Sequence, residues 1–357
     1  MKHKKILQLG ITSLFTLLLL VTLTLPVHAA SSKKAVIRYP KVDPNAINIY
    51  LTISGMQQQF QQSIQQQLPD QFNQSVMAQT KGLDPATQSL ANQLIGEVFQ
   101  PSANLTQLTP TQGGLVSSIS VSLFPNDPNP LGFSMLLSFN KINSHAAEVD
   151  ASAVPGQPAP PSTGPQSTFD VGTFGTLNSI VPTPGCGDSA LLMNMDTAPG
   201  AAQQGGGGGQ GAGFPLFIDV PAAAFQAGAA GQGNMDIGGG FSAQNIQVSL
   251  QGQGMVVNTQ IAFLGNQVGS TMTTVQLSAA NGKLVGTVTN TNVNIGGFLS
   301  LPVDAFNQDI QQQLNQQLGT MMGNMLNVTS VNFGPTAAVP CATPGDMLLG
   351  GTAAGGI

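Results

Sequence analysis

The chain has 357 residues, 41% of them hydrophobic and only 7% charged, with two cysteines, two tyrosines and no tryptophan. Fifteen acidic residues face ten basic ones, and beyond Lys41 the only cations are Lys81, Lys141 and Lys283. That scarcity excludes a nucleic-acid footprint and charge-driven docking on anionic lipid headgroups, both of which need grouped lysines and arginines.

The first residues, MKHKK, are followed by ILQLGITSLFTLLLLVTLTLP and VHAA. A basic start, a long apolar run and a small-residue end make residues 1–29 a secretory signal. Val27 and Ala29 fit the −3 and −1 positions, so cleavage is expected after Ala29 and the protein is expected to be secreted or held in the cell envelope. The apolar run is also long enough to cross a bilayer, which leaves an uncleaved N-terminal anchor as the alternative. Residues 30–44 form a polar lead-in.

An N-terminal α+β module is expected over 45–199. INIYLTI at 47–53 alternates as a strand does. MQQQFQQSIQQQL at 56–68 sets Phe60, Ile64 and Leu68 four residues apart, a helix whose wet face is almost entirely amide. Asp84 and Pro85 suit the start of a second helix, with Leu90, Leu94 and Val98 along one side. From Leu115 the period falls to two, through ISVSL, FSMLLSFNKI and residues 147–154. PGQPAPPSTGPQ at 155–166 is a proline-rich loop, and STFDVGTFGTLNSI is strand-like again. The glycine-rich stretch 200–213 reads as a flexible linker.

The C-terminal module, 214–357, reads as four strands at 246–250, 255–263, 271–277 and 284–295, with Asn281-Gly282 as a tight turn. A long helix follows from about Pro302, with Val303, Phe306, Ile310, Leu314, Leu318, Met322 and Met325 on one stripe. LNVTSVNF and DMLLGG close the module. ISVSL in the first half echoes IQVSL in the second, and IDVPAAAFQ echoes LSLPVDAFNQ within the C-terminal module, short matches that two related modules or coincidence would give.

Catalytic chemistry is hard to place. After the signal the single histidine is His145, in a turn, and no G-x-S-x-G elbow supplies a nucleophile. Glu148 and Asp150 lie two apart on one strand, but no tryptophan is present to stack a sugar. Histidine and cysteine clusters suited to zinc are missing, and the glycines at 205–209 are not followed by GK[ST]. A non-enzymatic protein without cofactor or metal is the expectation. Cys186 and Cys341, in an exported chain, are expected to form a disulfide closing about 155 residues.

Residues 214–352 resemble the tubular lipid-binding (TULIP) superfamily, and within it the small exported phospholipid-binding proteins of bacterial envelopes. The resemblance rests on the strands ending in NGKLVGTVTNTNVNIGG, then LSLPVDAFNQDIQQQLNQQLG opening the helix, then LNVTSVNFG and GDMLLGG. It implies a curved sheet wrapped on a long helix around a lipid channel. Joined to the periodicities, it gives an expected α+β fold of curved antiparallel sheets, each packed on a long amphipathic helix. The ligand is expected to be a lipid or another long apolar molecule. Phe306, Ile310, Leu314, Leu318 and Met322 are the candidate lining from the helix, with Phe263 and Val288 from the sheet. Membrane contact is expected only through apolar surface or the N-terminal segment. The alternative is a structural or adhesive envelope protein whose Gln-rich modules are packed solid.

Overall fold

The computed structural model describes residues 46–62, 64, 65, 84, 89, 93, 100–157, 164–170, 175–196, 215–230, 234–238, 240–296, 299–302, 311, 312, 315, 316, 318 and 326–353. The expected signal, the lead-in and the glycine-rich linker lie outside these residues.

The described residues are mostly antiparallel β-structure, which overturns the α+β expectation. Three sheets are present. A five-stranded meander joins β2 (Ser102–Thr111), β3 (Gly114–Ser122), β4 (Leu131–Lys141), β5 (Ala146–Ala153) and β6 (Gly164–Asp170). A six-stranded one joins β10 (Met235–Gly238), β11 (Phe241–Gln251), β12 (Gly254–Phe263), β13 (Asn266–Ala280), β14 (Lys283–Ile295) and β15 (Leu299–Pro302). The third sheet takes strands from both halves: β1 (Ile47–Thr52), β7 (Thr176–Pro182), β8 (Ser189–Asp196), β9 (Pro215–Val220), β16 (Leu326–Phe333) and β17 (Met347–Ala353). Strands such as SANLTQLTPT escaped the pattern because they carry few apolar residues. Its Pro110 is tolerated because β2 lies at a sheet edge.

In the third sheet the order is β16-β17-β9-β1-β8-β7. Each half therefore contributes one strand before its meander (β1, β9) and two after it (β8 and β7, β17 and β16), and the order mirrors about the β9–β1 pair. The strand order is thus repeated between the halves. The quoted echoes, however, do not occupy matching places: ISVSL is in β3 and IQVSL in β11, which is the counterpart of β2. The matches are elsewhere. Gly114 opens β3 and Gly254 opens β12, and at each a side chain would collide with a carbonyl oxygen of the next strand, that of Leu137 or Val275.

Helices follow β1 and β9 directly. Thr52 caps the first, at 53–62, by accepting a hydrogen bond from the Gly55 amide at 3.1 Å. Asp188 adds to the same end, accepting from the Ser54 hydroxyl at 2.8 Å. The second is Ala222–Ala230. Both carry a Phe-Gln pair, Phe60-Gln61 and Phe225-Gln226, with the phenyl rings turned towards the common core.

The glutamines next to those rings bind strand edges. Nε2 of Gln61 donates to the Ala103 carbonyl at 3.0 Å, and its Oε1 accepts from the Leu105 amide at 2.6 Å, along the edge strand β2. Gln226 makes the same pair on β11, to the Ile246 carbonyl at 2.8 Å and from the Val248 amide at 2.7 Å. Strand β10 covers β11 only over 241–243, so this stretch is otherwise an open edge. A third edge, β14 beyond its pairing with β15, is met by the C-terminal helix. There Asn315 accepts from the Gly286 amide at 2.7 Å and Gln311 from the Val288 amide at 3.4 Å. All three contacts lie at or near register shifts, after Leu105, after Gln244 and at Thr274/Val275. A primary amide, which donates and accepts, can stand in for a neighbouring strand. A carboxylate or an ammonium cannot.

Replacing Gln61 or Gln226 with alanine should lower stability by roughly 1–3 kcal/mol in urea unfolding, the cost of two unmade backbone bonds. Gln61→Glu should cost more at pH 7, where its carboxylate faces the Ala103 carbonyl. That excess should shrink towards pH 4, as protonation restores a donor.

Candidate functional site

The central sheet is sealed on its inner face and partly covered on the other. Ile47, Ile49 and Leu51 of β1, Leu191, Met193 and Met195 of β8, Leu216, Ile218 and Val220 of β9, and Met347 and Leu349 of β17 point to one side, all buried. They join a single core that continues into both meanders. The other side carries Tyr50, Leu192, Phe217 and Leu348, and over it lies the connection between β16 and β17, with Val339 and Ala342 pressed against them. Cys341 in this connection is disulfide-bonded to Cys186, with a Cα–Cα distance of 5.4 Å, as expected from the sequence. Asp188, two residues from Cys186, donates its amide to the Ala338 carbonyl at 2.9 Å. The bridge therefore ties the β7–β8 loop of one half to the β16–β17 connection of the other.

A row of polar groups runs along the same face, exposed at the Asn178–Asp196 end and buried at Asp219. Asn178 donates to Asp196 at 2.9 Å, and Asn194 donates to Asn48 at 2.8 Å. Asp219, with no exposed surface, pairs across the sheet with Asn48 and accepts from the Thr343 amide at 3.2 Å. Its Oδ1 has no hydrogen-bond partner among the described residues. Burial raises its pKa to about 6, and the hydrogen bond from Thr343 offsets this only in part. Burial also raises Asp346, and it raises the Tyr50 hydroxyl, with Asp219 and Asp346 adding to the latter.

The inner faces of the meanders are closed less tightly than the central sheet. In the second half Met255, Val275, Leu277 and Leu284 are buried, but Val248, Leu250, Val257, Ala279 and Val288 beside them keep part of their surface. Leu105, Met135 and Phe139 do the same in the first half. Of the residues expected to line a ligand, Leu318 is 3% exposed within this core and Val288 is half-buried on the β14 edge held by Gln311. Phe263 lies away from them, at the end of β12, 39% exposed and tilted against Phe241 with ring centroids 4.8 Å apart. Phe306, Ile310, Leu314 and Met322 lie outside the described residues.

The opposite face of the second meander is polar. A groove of about 440 Å³ there is lined by Asn245, Gln247, Asn258, Gln260, Ser270 and Asn292, among others, with Met272 on its wall. Among the described residues no group of three or more metal-ligating side chains occurs, and no helix is long and apolar enough to cross a membrane. The edge-binding amides and Asp219 were not singled out in the sequence. The repeated Phe-Gln pair was the available signal for the former.

No protein-family model matches the chain, and no curated protein matches it. Among solved structures it is similar to a lipopolysaccharide binding protein, at 8% identity and a TM-score of 0.34, covering 87% of this chain and 99% of that one. It is also similar to P47 of Clostridium botulinum E1, at 7% identity and a TM-score of 0.32, with the same coverages. Likenesses of this size carry no argument about the fold or the function.

An acid whose folded-state pKa lies above its unfolded value opposes folding wherever it is ionised. Asp219, raised from 3.8 to about 6, should therefore make the protein more stable as pH falls from 7 towards 4. The gain should be on the order of 2–3 kcal/mol from this group. Asp219→Asn should flatten that part of the stability–pH curve in urea titrations.

Proposed function

We propose that the protein is a non-enzymatic, exported carrier or holder of a lipid or another long apolar molecule, bound between the inner face of a meander and its helix. The observation that carries this reading is the contrast in closure. Central-sheet positions facing the core are sealed, whereas Val248, Leu250, Val257 and Val288 are apolar, inward-facing and only partly covered. Apolar surface left accessible on this inner face favours an apolar occupant by about 25 cal/mol per Å² covered. The near-absence of charge along β11–β14, where Lys283 alone is charged, favours hydrocarbon over a charged ligand. The resemblance of residues 214–352 to the TULIP superfamily points the same way.

The test is native mass spectrometry of the purified protein with parallel organic extraction. Bound lipid should appear as a stoichiometric mass increment lost on extraction. Val288→Trp should reduce that occupancy several-fold while the unfolding transition stays cooperative. In a solid structural module the protein would have a clean unliganded mass, and the same substitution would cost about 1–3 kcal/mol from overpacking.

A further inference from the structure

We infer that the β12–β13 hairpin tip is a membrane-docking point that enters the apolar layer of a lipid bilayer without help from charge. Three large apolar side chains meet there: Phe241 (41% exposed), Phe263 (39%) and Leu264 (74%). They form one patch. The phenyl rings are in contact, and the Leu264 amide donates to the Gly240 carbonyl at 3.0 Å, closing β11 against the turn. Leu264 also has a φ of +48°, a left-handed conformation that asparagine or glycine adopts at lower cost and that burdens a leucine. A leucine that is strained, 74% exposed and packed only over Gly240 adds little to the fold. Its side chain is explained by something it touches outside the chain.

The other half repeats the feature. Gly114 and Gly254 occupy matching places, and ten residues beyond them lie Phe124 and Leu264. Phe124 and Leu131, which flank the β3–β4 turn, are 40% and 50% exposed. The turns differ in length and sequence, so what the two tips share is exposed apolar bulk at one topological position.

A bilayer fits this better than a protein partner. Three side chains at one end of the meander, where β11 meets the β12–β13 turn, fall far short of the ~800 Å² per partner that a stable protein interface buries. Entry into hydrocarbon needs no complementary surface and gains in proportion to the area covered. From Gln251 to Ala280 the hairpin carries no charged residue, so the contact should be indifferent to salt and to anionic lipid. This inference does not depend on whether the interior holds a ligand.

The chain contains no tryptophan, so one introduced at the tip is a sole reporter. In the full chain, Leu264→Trp should show a blue-shifted emission on adding phosphatidylcholine vesicles, and should lose most of its intensity when the acyl chains are brominated. Both effects should persist in high salt. Phe263→Trp, at an ordinary strand position, should behave alike and covers the case in which Leu264→Trp fails to fold. Ser278→Trp, exposed on β13 and roughly 40 Å along the strand at ~3.3 Å per residue, should show neither effect. Because the readout is local, attachment through the apolar N-terminal residues does not mimic it. Unshifted, unquenched emission from both tip reporters would overturn the inference. So would a blue shift without vesicles accompanied by a dimer in sedimentation, which would assign the patch to a second copy of the chain.

Discussion

An edge strand presents backbone N–H and C=O groups with nothing to bond, and leaving them so in a half-buried setting costs free energy and invites pairing with another chain. This fold opens three such edges at places where helices, not strands, lie alongside. A helix has no free backbone groups along its flank to offer a strand. Gln61, Gln226, Gln311 and Asn315 resolve the mismatch by reaching from helix to strand. Two of them make both bonds a neighbouring strand would make. At Gln61 and Gln226 the amide thus has a structural reason: a charged side chain could satisfy only half of the edge.

Those contacts set the helices onto the meanders, and the central sheet sets the meanders onto each other. Because β1 and β9 are neighbours, the two halves share one sheet and one core. The glycine-rich stretch between them joins units that are already paired strand to strand. The disulfide acts on the same joint from the other face, where it pins the β16–β17 connection over Tyr50 and Leu348. That cover removes Asp219 from water, and among the described residues its Oδ1 and the Ser179 hydroxyl of the same sheet are buried without a partner, a local cost.

The strands with clear alternation were legible: INIYLT, the long strands of the second half and the closing pair β16 and β17. The disulfide was legible too, from two cysteines in an exported chain. Strands that sit at edges or carry a polar outer face were not, since β2, β10 and β15 lack the apolar count that periodicity needs. The fold class was misjudged for the same reason: helix stripes stand out in a sequence, while short polar strands do not, so the helices were overweighted. Among the expected ligand-lining residues, Phe263 shows the limit of position-counting. Its strand was right, but strand ends and the register shift at Ile261/Ala262 decide which way a side chain faces.

By itself the sequence determined that the protein is poor in charge and that its clearest β-strands are antiparallel and joined by short turns. These are local properties, written in the period of the apolar residues and in the chemistry of the turns. Which strands become neighbours was decided only by the tertiary structure, because pairing β1 with β9 brings together segments about 170 residues apart that share no motif. The purpose of the glutamines was decided there too. Hydrogen-bonding capacity is present in any amide, but it acquires a role only when the fold places an unpaired strand edge within reach.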